Sequence, residues 1–202
     1  MRKIVFLISS QQQNGKDTFG ERLARWTNGI TLAFADPVKE VAISMLGMPP
    51  EVAYGGEAER RAWKRYGKDA REWLRWIGTE LGRAQISPEV WIHRMIERVS
   101  KSSVGSFVVT DARFGNELDY SYGDPVMLSQ LRDQGSITAF HEAGFRVVKI
   151  RLRRPGAENT EAHASESEQL TIPDDHFHEV VVNDGSPKDL DNKAKVIAAK
   201  YV

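Results

Sequence analysis

The chain has 202 residues, 41% hydrophobic and 28% charged, a composition that points to a packed globular domain and away from disorder. Its 28 Lys+Arg balance 28 Asp+Glu, which argues against a protein whose main task is coating a polyanion while leaving room for a local basic patch. Cysteine is absent, so disulfides, thiolate metal sites, iron–sulfur clusters and a cysteine nucleophile are excluded together, and the five histidines leave few options for a nitrogen-ligand metal. No apolar run approaches the ~18 residues of a membrane span. A cytoplasmic protein without a membrane partner is the expectation.

Lys3–Ser9 is a bulky, β-branched run that reads as a buried strand. It leads into Ser10-Gln-Gln-Gln-Asn14-Gly15-Lys16-Asp17-Thr18 and then a helix with Phe19, Leu23 and Trp26 on one stripe, ended by Asn28-Gly29. A strand, a tight Gly-Lys loop and a helix are the context of a phosphate-binding loop. Asn14 and Gly15 would turn backbone N–H groups toward phosphate oxygens, Lys16 would add a point charge, and the helix N-terminus a partial positive charge. Asp17 or Thr18 could hold Mg²⁺ directly or through water. Ser10 replaces the usual glycine, which is tolerable if its backbone angles are ordinary. Asp17 replaces the usual Ser/Thr, with Thr18 supplying a hydroxyl. The structural alternative is a Gly-Lys turn capped by Asp17.

Ile30–Ala35 reads as the second strand, followed by a helix carrying Val38, Val41, Ala42 and Met45. The stretch from about 47 to 105 is expected to be a mostly helical lobe with Trp63, Trp73, Trp76 and Trp91. Between Arg60 and Arg83 it holds eight basic residues against three acidic ones. Arg71, Arg75, Thr79 and Arg83 recur every four residues and predict a basic stripe able to grip an acceptor phosphate, with Leu74, Ile77 and Leu81 on another face. A solvated arginine face is the alternative, and Trp73 and Trp76 read as core sooner than as stacking platforms. Ile92, Met95, Ile96 and Val99 mark a further helix.

Phe107–Thr110 reads as the third strand. Asp111, just past its carboxyl end, faces the crevice where open α/β sheets bind ligands. Its carboxylate could hold Mg²⁺, and Arg113 could reach a phosphate bidentately. A turn aspartate paired with a neighbouring arginine is the alternative. Leu118–Ser136 looks like an inserted loop or hairpin whose aromatic residues point to a homodimer. Gly144 precedes the fourth strand, Phe145–Leu152, which Arg151, Arg153 and Arg154 leave toward the same crevice. The region from about 151 to 170 is expected to close as a lid that excludes water. His163, His176 and His178 have no partner at metal-ligand spacing. Val180–Val182 reads as the fifth strand, then Asn183-Asp184-Gly185 as a turn that either borders a nucleotide base or is purely structural, the two readings being equal, with Ser186 as helix N-cap. Between Pro155 and Asp191 stand ten acidic residues and one lysine. Strands alternating with helices predict a parallel α/β sheet covered on both faces, in one domain over 1–202.

The ordered series Gly15-Lys16-Asp17-Thr18, Ala35-Asp36-Pro37-Val38-Lys39, Ile77-Gly78-Thr79-Glu80 with Arg83 and Trp91, Asp111-Ala-Arg113 with Asn116-Glu117, Arg154-Pro155-Gly156, His163-Ala-Ser165-Glu166 and Asn183-Asp184-Gly185-Ser186 resembles the phage deoxynucleoside monophosphate kinases. These stand within the adenylate kinase-like P-loop kinases. The resemblance covers most of the chain. It implies a three-layer P-loop kinase-like fold with a five-stranded parallel sheet, an inserted helical acceptor-binding lobe, ATP as donor and Mg²⁺. By matching position, Lys16, Asp17 and Thr18 would serve the donor phosphates and metal. Asp36 and Lys39 would border the acceptor, Arg83, Asp111 and Arg113 would line its phosphate or the metal, and Arg154 would lie near the lid.

The leading expectation is an ATP-dependent phosphotransferase converting a deoxynucleoside 5′-monophosphate to the diphosphate. A second keeps the chemistry but phosphorylates a hydroxymethylated base (5-hydroxymethyluracil) in DNA, with the polymer held by the basic lobe and the insertion. A third is a nucleotide-binding module without turnover, invited by Ser10 and Asp17.

Overall fold

A computed structural model describes residues 2–11, 13–118, 136–156 and 171–202. The chain divides into two compact units, Met1–Ala33 with Ile96–Val202, and Phe34–Met95.

The first unit is built on a sheet of β1 (Ile4–Ser9), β2 (Ile30–Leu32), β5 (Ser106–Val109), β6 (Arg146–Arg153) and β7 (Glu179–Val182), in the order β2-β5-β1-β6-β7. Every pairing in it is parallel. All six residues of β1 are buried, as a central strand covered on both faces requires, which is why its sequence is continuously apolar. Phe6 and Ile8 of β1 join Val108, Val148, Ile150 and Leu152 on one face. Against that face pack Phe19 and Leu23 of α1 (Lys16–Trp26) and Leu190, Ala194 and Ile197 of the C-terminal helix, α9 (Pro187–Tyr201). Phe107 meets Phe145, and Phe145 meets Phe140 of α8 (Ser136–Glu142), so a helix also covers the other face. The expected α/β fold with a five-stranded parallel sheet is the observed one.

Two helix ends follow their sequence signals. Asn28 takes a left-handed φ of 48° just beyond α1, and Gly144 one of 86° before β6. Ser186 caps α9 in a reciprocal box with Asp189. Two expectations need correction. The second strand ends at Leu32 instead of reaching Ala35, and it forms the sheet edge, with Ile30 40% exposed. Paired on one side only, it stops where Pro37 at the first turn of α2 (Asp36–Leu46) presets helical backbone. Trp26 leaves the buried stripe of α1, and its indole N–H donates to Asp191. Gly20 and Ala24 fill the stripe instead. A Cβ on Gly20 would collide with Thr110, so the missing side chain sets how closely α1 approaches β5.

The second unit contains α2, α3 (Pro50–Ala53), α4 (Glu57–Ala62), a two-stranded hairpin of β3 (Lys64–Arg65) and β4 (Lys68–Asp69), and α5 (Ala70–Arg75). A π-helical stretch, Trp76–Ile86, follows, and α6 (Val90–Lys101) carries the chain back to the first unit. Its core joins Val38, Ala42, Leu46, Met48, Ile77 and Trp91, with Trp63, Trp73 and Trp76 half-buried around it. The Trp91 indole N–H donates to the Gly78 carbonyl at 2.8 Å. Bonding after Arg75 is i→i+5 instead of i→i+4, and a four-residue step stays within about 40° of one face in either kind of helix, so the spacing of Arg71, Arg75, Thr79 and Arg83 suits both. Arg75 is exposed and Arg83 half-buried. The hairpin interrupts a segment that is otherwise helical, as the mostly helical expectation allows.

Candidate phosphate-binding site

β1 delivers the chain into the loop in extended form. Ser10, Gln11 and Asn14 are all buried, and the Ser10 hydroxyl donates to the Gln11 carbonyl at 3.2 Å. Ser10 has none of the positive φ values, so the backbone there does not require glycine. The left-handed positions are Gln13 (φ 64°) and Gly15 (φ 87°), which bracket Asn14 and curl the chain tightly into α1. Gly15 is the N-cap and offers no side chain, and Asp17 does not cap the helix. The structural alternative of an Asp17-capped turn is therefore not what forms. An eleven-residue helix begins with its backbone donors unmet by any capping side chain, the arrangement that binds anions.

Lys16 lies 2.8 Å from both carboxylate oxygens of Asp17. Its side chain is 17% exposed and that of Asp17 is 70% exposed. A pair whose carboxylate is open to water contributes little to stability and is readily exchanged for a phosphate. Asn14 Oδ1 is buried with no hydrogen-bond partner among the described residues, an acceptor that a bound hydroxyl or water could satisfy.

The turn after β7 holds this loop from the side. Asn183 Nδ2 donates to the Asn14 carbonyl at 2.9 Å, and the Asn183 backbone N–H donates to the Arg153 carbonyl at 2.6 Å. A Cβ on Gly15 would stand 2.7 Å from Asn183 Nδ2. Gly185 instead faces Asp189 within the cap of α9.

Carrying the β1–β5 register past Leu7↔Val109 places Asp111 at the carboxyl edge that Ser9 and Ser10 also occupy. Asp111 and Arg113 are half-buried. The loop that presents them is cinched by Glu117 of α7 (Gly115–Leu118), whose buried carboxylate accepts the Arg113 N–H at 2.7 Å and the Phe114 N–H at 3.1 Å. Sequence reasoning misses this task of Glu117, for which an acid four residues beyond Arg113 is the available signal.

The arginines after β6 separate. Arg151 is buried, donating to the Ile172 carbonyl at 2.6 Å and to Asp174 at 3.1 Å, with its Cζ 4.2 Å from the Phe177 ring. Burial pushes its pKa down against the opposing pull of Asp174. Arg153 also donates to Asp174, at 2.6 Å. These two hold the segment before β7 and do not lead into a crevice, a correction to the expected group of three. Arg154 is exposed at the sheet's carboxyl edge. His176 Nε2 lies 2.7 Å from Lys149 Nζ, and His178 Nδ1 accepts the Lys149 N–H at 2.9 Å, so both histidines serve β6. His163, most of the expected lid and most of the 118–136 insertion lie outside the described residues.

In the second unit Lys39 Nζ reaches Asp36 at 3.2 Å and stands 4.6 Å from the Tyr54 ring. Among the described residues there is no cluster of three or more metal-ligating side chains. Mg²⁺ bound to a triphosphate needs only one or two carboxylates, so Asp17, Thr18 and Asp111 suit it in donor chemistry. No helix among the described residues is long and apolar enough to cross a membrane.

No family model matches the chain, and no curated protein matches it. Among solved structures, a protein described only as a candidate kinase from Chloroflexus aurantiacus j-10-fl aligns at 12% identity and a TM-score of 0.49, over 100% of this chain and 98% of its own. Shikimate kinase from Aquifex aeolicus vf5 aligns at 12% identity and a TM-score of 0.40, over 98% and 96%. The tunicamycin resistance protein of Deinococcus radiodurans aligns at 14% identity and a TM-score of 0.44, over 98% and 95%. Likeness this distant assigns neither a family nor an activity.

Proposed function

We propose that this protein transfers the γ-phosphoryl group of ATP to a deoxynucleoside 5′-monophosphate. The observation that carries the reading is the uncapped N-terminus of α1, entered through left-handed Gln13 and Gly15, with Lys16 held beside it. Phosphoryl transfer asks for alignment and charge neutralisation, and no side chain has to become covalently modified. The acceptor oxygen is already ionised. Backbone N–H groups at the start of α1 take the donor's β- and γ-phosphate oxygens. Lys16 leaves Asp17 for those oxygens and remains on them as charge shifts toward the bridging atom. Asp17, Thr18 and Asp111 are the residues that would hold Mg²⁺, which when bound screens the triphosphate charge.

Arg113 and Arg154, at the carboxyl edge of the sheet, are the proposed partners of the transferring group. Asp36, Lys39, Arg75 and Arg83 are the proposed acceptor contacts, with Arg83 on the acceptor phosphate. The deoxynucleotide acceptor is supported by the ordered motif series described above.

The test is incubation of the folded protein with ATP–Mg²⁺ and a panel of nucleoside and deoxynucleoside monophosphates, gluconate, shikimate and DNA. A deoxynucleoside diphosphate as the principal product is expected. No product from any acceptor would overturn the phosphotransfer reading, and phosphorylation of a sugar acid or DNA alone would overturn the acceptor.

A further inference from the structure

The β3–β4 hairpin of the second unit combines three features that packing does not account for. Tyr66 and Gly67 form its two-residue turn with φ of 51° and 77°. Such a mirror-image turn favours Asn, Asp or Gly at its first position, and a bulky aromatic there is strained. The Tyr66 ring is also 74% exposed, so burial does not compensate the strain. Arg65 and Lys68, which flank the turn, are paired directly across the two strands, and like charges in that position repel.

The neighbouring groups sharpen the picture. Arg65 Nη1 donates to the Leu46 carbonyl at 2.5 Å, while its Cζ lies 5.6 Å from the Tyr66 ring. Trp73 meets the Tyr66 ring edge-on at 6.5 Å and ties its indole N–H to the Arg65 carbonyl. Three of the acids close in sequence are already engaged. Glu57 pairs with Arg61 and Arg71, and Asp69 and Glu72 cap each other's backbone at the start of α5. Among the described residues Lys64, Lys68 and Arg75 have no acidic partner. The result is an aromatic face held open to solvent within a positive field.

We propose that this hairpin is a binding surface for single-stranded nucleic acid, with Tyr66 stacking on a base and Lys64, Arg65 and Lys68 meeting the flanking phosphates. An open tip has no walls to enclose a mononucleotide, which small-ligand binding requires. On a polymer, weak stacking and phosphate contacts add along the strand. The proposal does not rest on phosphoryl transfer, since binding is measured without ATP.

Fluorescence anisotropy of a labelled oligothymidylate, titrated with the full chain at low and at physiological salt, tests it. Tyr66→Asn suits the left-handed backbone, so it should fold with an unchanged or raised thermal midpoint. Loss of the stack should weaken binding about 5- to 150-fold. Tyr66→Trp should retain binding. Lys68→Gln should weaken it on every sequence and reduce the dependence of log affinity on log salt by about one. No binding by the wild type at low salt would overturn the proposal, as would equal affinity of wild type and Tyr66→Asn. Displacement of the oligonucleotide by polyglutamate as readily as by unlabelled DNA would also overturn it, since the surface would then recognise acidic chains in general. Phosphotransfer to a monophosphate in the same preparation would leave any of these outcomes unchanged, so the two readings fail separately.

Discussion

Lys16 sits beside Asp17, where losing the ammonium breaks only its pair with a largely exposed carboxylate. Lys16→Ala is expected to keep its thermal midpoint and lose about 10²–10³ in turnover, the effect of deleting one preorganised charge donor. Initial rates on the two proteins, with circular dichroism as the folding control, measure this. Asn183 makes a different case. Its amide holds the Asn14 carbonyl instead of extending freely toward a base. Asn183→Ala is therefore expected to weaken tripolyphosphate and ATP binding by the same factor, about fivefold for one lost hydrogen bond of ~1 kcal/mol. Calorimetric titration of both ligands checks it. A loss confined to ATP would show that Asn183 reads the nucleoside. That amide contact spans the chain from one end to the other, and the sequence alone offered only a turn with two equal readings.

Elements were legible where hydrophobic period and burial coincide. β1 is apolar on both faces because both are covered, and Ser186 was legible as the helix N-cap, to which the structure adds the return bond from Asp189. The elements that escaped have no period to read. β3 and β4 are two residues each and carry mostly charged side chains, leaving Tyr66-Gly67 as their one turn signal. The π-helical stretch has no period that tells it from an α-helix, since the four-residue spacing of Arg71 to Arg83 suits both.

The same stretch supplies an internal contrast. A Cβ at Gly82 would run into the Trp91 ring, with Cε2 at 2.7 Å, whereas one at Gly78 would meet Val38 at an ordinary 3.6 Å. Gly82→Ala is expected to destabilise the protein by about 1–3 kcal/mol, as overpacking does. Gly78→Ala should be neutral or slightly stabilising, because alanine loses less backbone freedom in a helix. Urea unfolding of the two variants separates them, and equal effects would contradict the packing described for Trp91.

At the scale of the whole molecule, titration of His178 should make stability depend on pH. Burial, then the Lys149 charge, holds its pKa below the ordinary histidine value, and its Nδ1 accepts a backbone N–H and so must stay unprotonated. The folded state therefore binds fewer protons than the unfolded chain as pH falls. This contribution is fully present above the unfolded value of about 6.5 and is lost on acidification below it. The thermal midpoint should fall between neutrality and mild acid, and His178→Gln should lessen that slope.

The two compact units divide the proposed chemistry as they divide the chain. Donor groups cluster around α1, while Asp36, Lys39, Arg75 and Arg83 belong to Phe34–Met95. Everything assigned to the donor depends on the start of α1 receiving phosphate. Backbone amide resonances of isotopically labelled protein, followed as ATP–Mg²⁺ is added, test this most directly. The account predicts large, saturable shifts at Gly15, Lys16, Asp17 and Thr18 that tripolyphosphate reproduces. Unmoved resonances at those four positions, with ATP shifting others or none, would contradict it.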